Sequence, residues 1–98
     1  MTVKVNKIVG FKSAVSAAGE KYNMTGNVNV DNGAMTNIDS GIVKDGDGKQ
    51  VASFTYYGNL NIAFNTSDST VMTAAITDIE TFIDACKTNT ASLGTVTA

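Results

Sequence analysis

A few groups of residues have the types and spacings that chemistry requires. Asp45-Gly46-Asp47-Gly48 opens like a calcium-binding loop. Such a loop needs a further oxygen ligand before its central Gly and a bidentate Glu at its twelfth position. Counted from Asp45, that position is Tyr56, and strand-like sequence already begins at Gln50. The tetrapeptide therefore reads as a hairpin turn. Cys86 is a candidate nucleophile, but a thiol is activated by a neighbouring base or cation. The chain has no His, and Cys86 falls on the apolar stripe of a helix, so it reads as a buried, inert thiol. Zinc sites want Cys and His together, and no metal is expected. Asp78, Glu80 and Asp84 supply carboxylates. Glu80 and Asp84 are one helical turn apart, and like charges so placed mark a solvated face.

No residue is expected to be catalytic and no cofactor is implied. His, the commonest general base, is absent, and so is Arg, because all seven basic residues are Lys. The expectation is that the protein is not an enzyme. A formal net charge of −2 gives no general pull towards nucleic acid. Without Arg there is no planar fork for bidentate phosphate or guanine contacts. The first residues, Met1 to Ser13, alternate instead of forming a continuous apolar run. No signal peptide or membrane span is read there, which makes a cytoplasmic or virion-associated location the default. One Cys cannot form an internal disulfide, so stability must come from a packed core. Residues 1–98 fit one domain, with 90–98 as a flexible tail or a short added strand. Two glycosylation sequons, at Asn23 and Asn65, carry no weight in a chain so rich in Asn and Thr.

What remains are surfaces, and those depend on the elements that carry them. The segment Asp68 to Thr88 is the clearest helix. Met72, Ala75, Ile76, Ile79, Phe82, Ile83 and Cys86 recur at three- and four-residue steps, which places them on one stripe. Asp68 or Ser69 can cap its start, and Lys87 suits its negative end. An isolated helix of this length is marginal in water, so it must lie on a second apolar surface.

Alternation supplies that surface. Val3 to Val15 reads as a first strand, followed by a turn at Ala17–Glu20, with a short helix over residues 13–19 as the alternative. Tyr22 to Val30 alternates cleanly, with Tyr22, Met24, Gly26, Val28 and Val30 on one side. Ala34 to Lys44, Gln50 to Tyr56 and Leu60 to Phe64 complete five strands. Three-residue loops at Asp31–Gly33, Gly46–Gly48 and Tyr57–Asn59 would place Gly33, Gly48 and Asn59 in the left-handed region. They would set Val30 opposite Ala34, Ile42 opposite Ala52 and Tyr56 opposite Leu60. The dry face would then carry Tyr22, Val28, Val30, Ile38, Ile42, Phe54, Tyr56, Leu60, Ile62 and Phe64. An even first loop would place Phe11 over Gly26 and Val15 opposite Tyr22. The fold class is α+β in two layers: a five-stranded antiparallel meander with one C-terminal helix packed across it.

Two surfaces follow from this arrangement. The wet face of the sheet carries Asn23, Thr25, Asn27, Asn29, Asn37 and Tyr57, a polar surface suited to a sugar or small ligand. The fifth strand with the residue after it, Leu60, Asn61, Ile62, Ala63, Phe64 and Asn65, is an edge without charge or Pro. Soluble proteins usually blunt such an edge. Lys4, Lys7 and Lys12 guard the first strand, but nothing guards the fifth. Three covers are open to it: the tail 92–97, the first strand closing a barrel, or another subunit. The function expected is a non-catalytic structural or assembly module acting through protein–protein contacts. It would self-associate through the edge strand, as a small viral, phage or surface-associated component does. The alternative is a small ligand- or carbohydrate-binding module using the Asn/Thr face or a helix–sheet pocket.

Overall fold

The computed structural model describes residues 1–4 and 9–94. Five antiparallel strands form one sheet in the order β1-β2-β3-β4-β5. They are β1 (Gly10–Ala18), β2 (Asn23–Asp31), β3 (Ala34–Lys44), β4 (Gln50–Tyr56) and β5 (Leu60–Phe64). Helix α1 (Ser69–Thr88) packs across one face, and a four-residue turn of helix, α2 (Thr90–Leu93), follows it. This is the α+β meander with a C-terminal helix that the periodicities indicate.

The Asp68 carboxylate caps α1, accepting from the Thr70 and Val71 N–H groups at 2.9 and 3.4 Å. Ala75, Ile79, Phe82, Ile83 and Cys86 are buried, while Met72 and Ile76 flank them half-buried. Each large side chain on this stripe contributes about 1.5–3 kcal/mol on full burial. The opposite face holds several Thr, a poor helix former. Thr73, Thr77, Thr81 and Thr88 each donate the hydroxyl to the carbonyl four residues back, so none competes for the helical N–H groups. Asn89 closes the helix, its N–H donating to the Ala85 carbonyl at 3.0 Å.

Helix and sheet meet over Tyr22, Met24, Val28, Val30, Ile38, Val43, Ala52 and Phe54. The Phe82 ring stands edge-on to Phe54 at 6.0 Å and 82°. Lys87 lies over the Tyr56 ring at 4.8 Å from its centroid, a cation–π contact at the outer end of the helix. Tyr56, Leu60, Ile62 and Phe64 pack against this core but stay half-buried.

The register differs from the sequence expectation in four places. Asp31 pairs with Ala34, so the β2–β3 loop has two residues, Asn32 and Gly33, with φ of 51° and 80°. Positive φ at both is the geometry whose twist suits a two-residue hairpin, and Asn-Gly is its preferred sequence. Parity is rescued by a bulge: Thr36 is the surplus residue between the Val30–Met35 and Asn29–Asn37 pairs. Val28 and Ile38 thus still share the dry face.

A second bulge at Ser40 and Gly41, opposite Gly26, reverses the phase again. Ser40 has φ of 54°, a cost for a side chain with a Cβ. Beyond it Val43, not Ile42, faces the core, and a further bulge at Val51, between the Val43–Ala52 and Lys44–Gln50 pairs, sets Val43 rather than Ile42 opposite Ala52. The third difference is β1, which extends through Ala18 where a turn or short helix was expected. Phe11 pairs with Val30 and Val15 with Gly26, four residues away from the expected register but with its parity kept. The ring that covers a strand glycine is Phe54 over Gly41, not Phe11 over Gly26. Lastly, the β4–β5 turn places its positive φ at Gly58 (86°) and not at Asn59, although Tyr56 does pair with Leu60.

Candidate functional site

The uncovered face of the sheet and the β5 edge are the two surfaces that survive as candidates. On the uncovered face, Lys12, Asn29 and Asn37 lie in one row across β1, β2 and β3. The Lys12 ammonium sits 3.0 Å from Asp39 Oδ2. Asn29 Nδ2 donates to Asn37 Oδ1 and, at 3.5 Å, to Asp39. The Lys12 hydrogen bond, aided by its charge and by Asn27 and Asn29, holds the Asp39 carboxyl below the usual carboxylate range. These polar groups are engaged with one another and so offer few free donors to a ligand. Lys12 was not among the residues expected on this face. Its parity with the asparagines across the β1–β2 hairpin was the signal, and the expected first turn already kept that parity.

Asn23 and Thr25 are exposed on β2, and Asn27, Asn29 and Asn37 are half-buried on the same face. Tyr57 is 60% exposed in the β4–β5 turn, one residue beyond Tyr56, which pairs with Ile38. Farther along the face two shallow depressions, of 440 and 600 Å³, flank the Ser40 bulge. The larger is floored by Ser53, Thr55, Asn61 and Ala63, all small or uncharged.

Asp45 uses its carboxylate on its own turn. Oδ1 accepts from the N–H groups of Asp47 at 2.9 Å and Lys49 at 3.0 Å, the hydrogen bonding of an Asx turn. Cys86 is buried beneath α1, and that burial pushes its thiol pKa up, away from thiolate chemistry. No helix among the described residues is long and apolar enough to cross a membrane.

At the edge, β5 has β4 on one side and no described strand on the other. β1 is at the opposite edge, so among the described residues the sheet does not close into a barrel. The start of the tail also runs the other way. Thr90 Oγ1 donates to the Gly33 carbonyl at 2.8 Å, and Ser13 Oγ donates to the Leu93 carbonyl, which ties α2 to the β1 side. Residues 95–98 lie outside the described residues. The guarding of β1 is thinner than the sequence suggested: the strand starts at Gly10, so Lys4 precedes it, Lys7 lies outside the described residues, and only Lys12 is on it.

The direction of the β5 backbone groups follows from two hydrogen bonds. Asn65 N–H donates to the Val51 carbonyl at 2.8 Å, and Tyr57 N–H donates to Asn59 at 3.2 Å. Both pairs are in phase with the β4–β5 register. Because an antiparallel strand turns its N–H and C=O to alternate sides residue by residue, Asn61 and Ala63 address β4. Leu60, Ile62 and Phe64 address the open edge. Asn61 therefore presents its side chain on the uncovered face but no backbone donor to the edge.

No protein-family model, curated protein or solved structure matches this chain.

Proposed function

We propose that the protein is a non-catalytic assembly module that works by binding protein, through self-association at the β5 edge. The observation that carries this reading is the edge itself. Five residues without charge or Pro present the backbone groups of Leu60, Ile62 and Phe64 outward. Strand groups of this kind, with no partner among the described residues, template the addition of another strand. The side chains of the same three residues are only half-buried, so an added strand would also finish covering the rim of the core.

A ligand role for the Asn-rich face has less support, because Lys12, Asp39, Asn29 and Asn37 bond among themselves. The test is the mass of the full chain in solution. Size-exclusion chromatography with light scattering should give a defined multiple of 10.2 kDa. A monomer that persists to millimolar concentration would overturn the proposal.

A further inference from the structure

We infer that the partner at β5 is a second copy of the same strand, related by a two-fold axis through Ile62. This rests on the assembly reading above and specifies it. Consider β5 laid antiparallel against another β5 with Ile62 facing Ile62. Leu60 then faces Phe64, and Asn61 faces Ala63, in both directions. Leu60, Ile62 and Phe64 are the residues whose N–H and C=O groups point outward, as the Asn65–Val51 bond and the β4–β5 register require. Every outward group thus meets a complementary one. Each facing pair exchanges two bonds, giving roughly six across the interface.

The side chains agree with that register. Leu60, Ile62 and Phe64 lie on the helix side of the sheet and are half-buried. The two-fold axis places each set beside its copy, so one apolar rim runs from core to core. Asn61 and Ala63 are exposed on the other face and bring no charge to the contact. An isologous contact of this kind closes on itself, and the product is a dimer with a ten-stranded sheet and not a fibre. β1 matches less well as the partner. It is nine residues long against five and carries Lys12.

Charges at positions 61 and 63 test the register, because both side chains are exposed and neither enters the core. In N61K/A63K, Lys faces Lys twice across the axis, and like charges directly opposite destabilise a strand pair. Sedimentation velocity should show the dimer dissociation constant raised by about tenfold. In N61E/A63K, Glu faces Lys twice, and the dimer should be as tight as the native one or tighter. Mixing N61K/A63K with N61E/A63E should restore a dimer that neither forms well alone. Far-UV circular dichroism of each variant should match the native spectrum, which separates lost pairing from lost folding. A native oligomer unaffected by any of these changes would overturn the β5 contact in both readings while leaving self-association through another surface standing. A dimer weakened equally by Lys/Lys and Glu/Lys would overturn the Ile62 register. A native protein monomeric at all concentrations would overturn both readings together.

Discussion

Gly41 on β3 lies directly opposite Phe54 on β4, and the Phe54 ring occupies the space where a Gly41 side chain would be. A Cβ built at Gly41 comes within 2.6 Å of three ring carbons. The glycine is therefore a packing requirement: Phe54 must lie flat over the backbone to meet Phe82 edge-on from α1. Gly41→Ala should drive the ring off its site and destabilise the fold by roughly 1–3 kcal/mol, the usual cost of overpacking. Urea unfolding would measure it, and Gly41→Val should cost more. An unchanged midpoint for both would mean that the ring does not lie there.

The helix stripe makes a coarser prediction. Ile79 is fully buried and Phe82 nearly so. Phe82→Asp or Ile79→Asp places an unpaired carboxylate in a core with no buried polar side chain among the described residues, and the domain should unfold. Glu80→Ala, on the exposed side of the same helix, should change stability by no more than about 0.5 kcal/mol. Thermal melts followed by circular dichroism distinguish the two.

Asp39 gives the pH dependence. Its folded pKa lies below the ordinary 3.8 because the ammonium of Lys12 bonds the charged form. Stability from this pair is present above the unfolded value and is lost as pH falls through the folded one. NMR titration of the Asp39 carboxyl should give a midpoint below 3.8, and Lys12→Met should raise it towards that value. A midpoint unmoved by Lys12→Met would assign the shift to the asparagines instead.

The parts of the fold that were legible in the sequence are those where one residue type marks one face. Tyr22 to Val30 and the stripe from Ala75 to Cys86 separate dry from wet without ambiguity, and both lie where the periodicity places them. Ile42 and Val43 are adjacent and both apolar, so alternation cannot say which one faces the core. The Ser40 bulge decides it, through a backbone angle that a serine does not advertise. Ala17 and Ala18 favour helix on propensity, yet pairing with Met24 and Asn23 holds them in a strand. On the wet face the asparagines were legible, but the Lys12–Asp39 pair was not, since it depends on a register set by a turn with no Gly-Asn signal. The edge strand was legible as uncharged. Which of its residues address the edge required the hydrogen-bond phase.

β3 is eleven residues long and β2, which it pairs with end to end, is nine. The surplus is stored at Thr36 and at Ser40, one residue in each bulge. That mismatch makes the strand tolerant of shortening at two places and intolerant elsewhere. Removing Thr36 would bring Val30–Met35 and Asn29–Asn37 into one continuous ladder. Removing Ser40 would seat Gly41 against Gly26 and leave Val43 facing the core. Either deletion preserves the side of the sheet that every remaining residue occupies. Deleting Ile38, between them, would exchange the two sides over part of the strand. A deletion scan through β3, read by soluble yield and melting temperature, should show two survivors at these positions and losses at the rest. The chain's reading frame through this strand is thus set by spare length, not by side-chain preference.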